Sequence, residues 1–269
     1  MSINIAELHK NKAKHIAMKK LSEKRCDSMI MPNIKGAYSV DKSATSTATT
    51  EDKVCCATVK VYANTYYWLD SHGDVHVKGT FTKSIKENIN NIFHLDNHIA
   101  SFGTQAGEVQ NVEEVSVKWS DLGINKTGST ICVLGTSEVN DEINEAVLNA
   151  YVNKKVYNHS VGMVYVNLQL AIKERNKEYA EENKAWDDVY PLLGNQDTAD
   201  EEGYFWIVKE AKLKEFSSLL WDGSNSVTPT QSIIVEPSED TQTINTEPGK
   251  STQETKTSFD MMKTILQTF

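Results

Sequence analysis

Three short stretches of this chain hold residue types that can break an acyl bond. Asn97-His98 precedes a loop containing Gly103 and Gly107. Asn158-His159-Ser160-Val161-Gly162 sets a serine between a helix-prone and a strand-prone segment. Leu213-Lys214-Glu215-Phe216-Ser217 carries an acid within strand-like sequence. A serine hydroxyl attacks a carbonyl when a base in hydrogen-bond reach takes its proton, and the base needs a third group to hold its tautomer. Ser160 as nucleophile, His98 as base and Glu215 as orienting acid supply one of each. Residue types alone do not separate such a set from the serines, histidines and acids of any chain, because triads are defined by geometry. His94 is a second candidate for the base. His159 adjoins the serine, but neighbours along a strand point to opposite faces, so it reads as structural. His72, Asp74 and His76 alternate as strand residues on one face would. They lack the surrounding ligand set a zinc site needs and read as turn and strand. Neither a metal nor a cofactor is expected.

The elements that must position these groups are legible in outline. The 269 residues carry a net charge of −9, which argues against a generic nucleic-acid binder with a basic face. The four cysteines, Cys26, Cys55, Cys56 and Cys132, show no metal-site spacing and read as reduced thiols. The lysine-rich start has no apolar core of a secretory signal, and no apolar run is long enough to span a bilayer. Residues 1–53 divide into a basic amphipathic helix over 1–25, with Ile5, Leu8, Ile16 and Leu21 on its apolar side, and a Ser/Thr-rich linker. Residues 54–228 form the compact part. Strands are predicted near 58–62, 112–119, 129–134, 161–170, 204–208 and 212–221, and helices over 81–92 and 140–152. The charged stretch 173–186 reads as an exposed helical insertion. Residues 229–269 read as a polar linker over 229–257, then a short amphipathic helix bearing Phe259, Met262, Ile265, Leu266 and Phe269.

Four blocks resemble a known family in its own order. Asp70, Gly73, Asp74, Gly79, Phe81 and Ser84 fit the opening signature of the tailed-phage prohead proteases. The family's strand with a histidine, then a glycine opening the next strand, is similar to the run from Ile92 through His98 to Gly107. Its nucleophile motif, x-S-x-G, is similar to His159-Ser160-Val161-Gly162, and its final L-x-E-x-S with a later Asn to Leu213, Glu215, Ser217 and Asn225. The usual H-D of the family is His98-Ile99 here. The resemblance covers roughly residues 54–228.

The resemblance implies an α+β fold: a small antiparallel β-barrel-like core flanked by helices, like that of the distantly related herpesvirus assemblins, with extended terminal segments. It implies a serine endopeptidase that matures viral capsids, with Ser160, His98 and Glu215 as its catalytic residues. The substrates would be the scaffold and the major capsid protein, and cleavage of its own ends is expected. The place of action would be the host cytoplasm, inside the procapsid, with no membrane involved. Terminal helices would dock to the procapsid, and homo-oligomers are compatible with this picture. The alternative is a catalytically inactive scaffold or assembly protein on the same fold.

Overall fold

The computed structural model describes residues 4–24, 54–156 and 158–237. The expected linker over 27–53 and the amphipathic helix at 259–269 lie outside them.

Nine strands follow in chain order: β1 (Glu23–Lys24), β2 (Val54–Thr65), β3 (Asp74–His76), β4 (Phe93–Asp96), β5 (Gln105–Lys118), β6 (Ser129–Asn140), β7 (Asn158–Ile172), β8 (Tyr204–Leu219) and β9 (Thr230–Pro237). Six helices accompany them: α1 (Ile5–Lys10), α2 (Lys12–Leu21), α3 (Thr82–Asn88), α4 (Asp141–Val152), α5 (Ala180–Val189) and α6 (Gln196–Glu202). The strands join in the order β1-β7-β8-β4-β5-β6-β2-β9, with β3 beside β8. Among the described residues the two ends of this path, β1 and β9, do not pair with each other, so the sheet is open where a barrel-like closure is expected from the sequence. The chain is thus a mixed fold of helices and strands, its sheet flanked by helices. No helix among the described residues is long and apolar enough to cross a membrane.

Alternation builds the sheet. In β2, Ala57, Val59, Val61 and Ala63 are fully buried while the residues between them are less so. These side chains meet Val161, Met163 and Phe216 of β7 and β8 in the main core. Each fully buried aliphatic side chain of this size contributes roughly 1.5–3 kcal/mol. Strand β8 pairs with three others. It pairs antiparallel with β7 along its length and parallel with β3 and β4 at its two ends. A bulge interrupts the β7–β8 ladder, since Gly162 faces Glu215 but Met163 faces Leu213. The extra residue, Lys214, lets Leu213 and Phe216 both enter the core although three positions apart.

Several expectations need correction. One helix over 1–25 is instead two, broken at Asn11, and neither is a solvated tail. Leu8 is buried, Lys12 Nζ lies 2.6 Å from Glu182 Oε1, and Lys19 Nζ lies 2.6 Å from buried Asp74 Oδ1. Two lysines of this basic segment thus engage the protein's own acids. Stretch 173–186 is not an exposed insertion. Ala185, Trp186 and Val189 of α5 fill a second core with Phe205 and Leu193, and the charges that dominate the sequence occupy the outer face. The two predicted strands at 204–208 and 212–221 are the single strand β8. The linker assigned to 229–257 begins with a strand: β9 pairs with β2, and its Ile233 and Val235 pack on the core. Its opening run of Thr230, Gln231 and Ser232 concealed it.

Candidate functional site

β7 and β8 carry the site on one face. Ser160 is opposite Ser217 in the antiparallel ladder and Gly162 is opposite Glu215, so all four lie on the same side of the sheet. Phe93 and Leu95 of β4 pair in parallel with Glu215 and Ser217 and extend that face. The side chains of Val161, Phe216 and His94 belong to the other face, which is the core.

His98 enters this face from the loop after β4. Its Nδ1 lies 2.7 Å from Glu215 Oε1. Asn97 and His98 both adopt left-handed backbone conformations, with φ of 50° and 59°. That geometry is uncommon outside glycine, though Asn and His tolerate it better than most. Two strand-end bonds hold it. Asn97 N–H donates to the Ser218 carbonyl at 3.2 Å, and His98 N–H donates to Ser217 Oγ at 3.0 Å. Ser217 Oγ–H donates in turn to Glu215 Oε2 at 2.6 Å. One hydroxyl therefore ties the backbone of the histidine to the carboxylate that binds its ring.

Glu215 occupies the space above Gly162. A Cβ at residue 162 would overlap Oε1 and stand 2.7 Å from Cδ, so any other residue there would push this carboxylate aside. Gly223, in the loop after β8, makes a similar close approach. A Cβ there would be 2.9 Å from the Cβ of Ser160 and 3.0 Å from the His159 carbonyl. Thr228 anchors this loop by donating to the His159 carbonyl, and Asn158 Nδ2 reaches Asp222 at 3.3 Å.

The charge arrangement has a direction. An ionised Glu215 accepts from Nδ1–H, which leaves Nε2 as the basic nitrogen. His98 Nε2 is buried and has no hydrogen-bond partner. Ser160 is itself only 2% exposed, and no hydrogen bond joins its Oγ to His98. Apo sites often keep such bonds long until substrate closes them.

His94 stands elsewhere. It lies behind the sheet, stacked on Phe216 at 4.6 Å between ring centroids, with Nε2 2.8 Å from Ser218 Oγ. Tyr151 Oη joins this cluster, 2.7 Å from Ser218 Oγ and 3.0 Å from His159 Nε2. Burial, with His159 nearby, lowers the His94 pKa to about 3, and burial lowers that of His159 to about 4 against a bond to the Thr228 carbonyl. Both rings are neutral props for the core side of β7 and β8, and the sheet separates His94 from Ser160.

Among the described residues, no group of three His, Cys, Asp or Glu side chains is placed to hold a metal. Asp74 instead contacts Lys19 and the hydroxyl of Tyr165. Cys55 and Cys132 are free thiols.

The structure thus brings His98 and Glu215 into direct contact and sets Ser160 beside them on the same face. Two contributors lacked an assigned role in the sequence reading. Ser217 was detectable as the residue two beyond Glu215, hence on its face. Gly223 carried no such signal. No protein-family model, curated protein or solved structure matches the chain.

Proposed function

We propose that this chain is a serine endopeptidase. The observation that carries the reading is the 2.7 Å bond from His98 Nδ1 to Glu215, with Nε2 left unpartnered on the face that holds Ser160. His98 takes the Ser160 proton as Oγ attacks a peptide carbonyl, and the ring becomes an imidazolium stabilised by Glu215. The imidazolium then protonates the leaving amine, and the acyl-enzyme forms. Water, deprotonated by the same histidine, releases the acyl group and restores Ser160. The main chain at Gly223 abuts Ser160, and N–H groups of that turn would be candidates to stabilise the developing oxyanion.

The substrate class follows from the resemblance to prohead proteases. It points to scaffold and major capsid protein within a procapsid in the host cytoplasm, to cleavage of the chain's own ends, and to an assemblin-like version of this open sheet. An inactive assembly protein on the same fold is the competing reading. It is favoured by the nearly complete burial of Ser160 and by the missing Ser160–His98 bond.

Fluorophosphonate labelling followed by peptide mapping separates the two. Labelling confined to Ser160, abolished in Ser160→Ala and strongly slowed in His98→Ala, is expected. Intact-mass comparison of wild type and Ser160→Ala after concentrated incubation tests self-cleavage. A folded wild type that neither labels at Ser160 nor cleaves procapsid components would overturn the peptidase reading.

A further inference from the structure

Nine large apolar side chains are exposed among the described residues, and five of them gather around one place. Single exposed apolar residues are ordinary on any surface, whereas a cluster points to an interaction site. Ile99 and Phe102 follow His98 in the loop after β4. Leu220 and Trp221 follow β8, immediately before the Gly223 turn that abuts Ser160. Phe93 stands beside Glu215 on the site face of the sheet. Each of the five is more than half exposed.

The topology explains why they converge. β4 and β8 run parallel and in register, with Asp96 beside Ser218, so the loops that follow them leave the sheet at the same end. The bond from Asn97 N–H to the Ser218 carbonyl holds the two exits together. Any chain approaching Ser160 from that end meets both loops. Their charge is also one-sided. Residues 96–104 and 220–228 contain Asp96 and Asp222 and no Lys or Arg.

We propose that Phe93, Ile99, Phe102, Leu220 and Trp221 form the rim that selects the substrate, and that its occupant is a polypeptide segment with large apolar side chains flanking the scissile bond. This rests on the peptidase reading of the same site. Apolar side chains of the bound segment are removed from water against the rim, which supplies a driving force without directional bonds. The two acids favour neutral or basic neighbours over acidic ones in that segment.

The test is cleavage of a proteome-derived peptide library by the full chain, read by mass spectrometry. In the wild type, Leu, Ile, Met, Phe or Trp within three residues of the cleaved bond should be enriched and Asp and Glu depleted. The double variant Phe102→Ser/Trp221→Ser should lower kcat/KM for apolar over polar peptides by roughly tenfold, the scale on which apolar pockets discriminate. Leu220→Asn, a second surface change, should act in the same direction. Cleavage without apolar enrichment, or enrichment that persists unchanged in these variants, overturns the rim while leaving the peptidase intact. A folded wild type that neither labels at Ser160 with a fluorophosphonate nor cleaves library peptides or procapsid components overturns both.

Discussion

Gly162→Ala is the sharpest perturbation of the site, because it adds one methyl group and changes no charge. That methyl would overlap Glu215 Oε1 and lie 2.7 Å from Cδ, whereas ordinary contact begins near 3.4 Å. Cδ must retreat by about 0.7 Å at least, and the overlapped oxygen must leave its position altogether. The bond to His98 Nδ1, now 2.7 Å, cannot persist in place. A hydrogen bond to a charged group is worth roughly 1.5–3 kcal/mol, so losing it should slow phosphonate labelling of Ser160 by about 10- to 150-fold. Gly103→Ala is the matched control, since nothing lies within 4 Å of a Cβ there. The assay is the second-order labelling rate, with circular dichroism confirming the fold. Should Gly162→Ala unfold, the double variant with Glu215→Ala removes the overlap and should recover melting temperature while staying slow. A folded Gly162→Ala that labels within twofold of wild type would refute the assignment of Glu215 as the orienting acid.

Ser217→Ala should leave the His98 N–H without its acceptor and Glu215 with one fewer donor, costing about 1–3 kcal/mol in urea unfolding and slowing labelling in parallel. Lys19→Met should remove the ammonium group 2.6 Å from the buried Asp74 carboxylate, lowering the urea midpoint, and should open the N-terminal helices to limited proteolysis. Acid should weaken the fold through His94 and His159, whose folded pKa values of about 3 and about 4 lie below the ordinary 6.5. The unfolded chain binds more protons below pH 6.5, so stability is full above that pH and is lost as pH falls toward 4. Two such groups remove on the order of 2–3 kcal/mol by pH 5.5, which a urea midpoint measured at pH 7 and pH 5.5 would show. An unchanged midpoint would mean that these rings are not held neutral.

The site was legible in the sequence as far as period-2 alternation reaches. Ser160 and Gly162 share a face by spacing alone, as do Glu215 and Ser217, and both pairs do so in the structure. What spacing could not supply was the pairing of one set with the other, which depends on the β7–β8 register. Nor could it place His94 and His98 on opposite sides of the sheet: four positions apart they would share a face of an unbroken strand, and the left-handed backbone at Asn97 and His98 breaks that alternation. Bulges were equally hidden. Leu213 and Phe216 violate the strand pattern, and only the unpaired Lys214 reconciles them. Charge misled in two places. The acids and lysines of α5 concealed Trp186, and the lysines of α1 and α2 gave no sign that Lys12 and Lys19 engage the chain's own carboxylates.

The bond from His98 N–H to Ser217 joins residues 119 positions apart. Under the peptidase reading, a chain emerging from the ribosome holds its nucleophile and its base long before it holds the residues that aim them. A strand slipped by one residue would turn Glu215 into the core and Phe216 outward. Chemistry therefore waits on the completed β7–β8 register, so that unfinished or misregistered copies are inert toward neighbouring proteins. Under that reading the long-range ladder acts as a safety interlock set by translation order and topology.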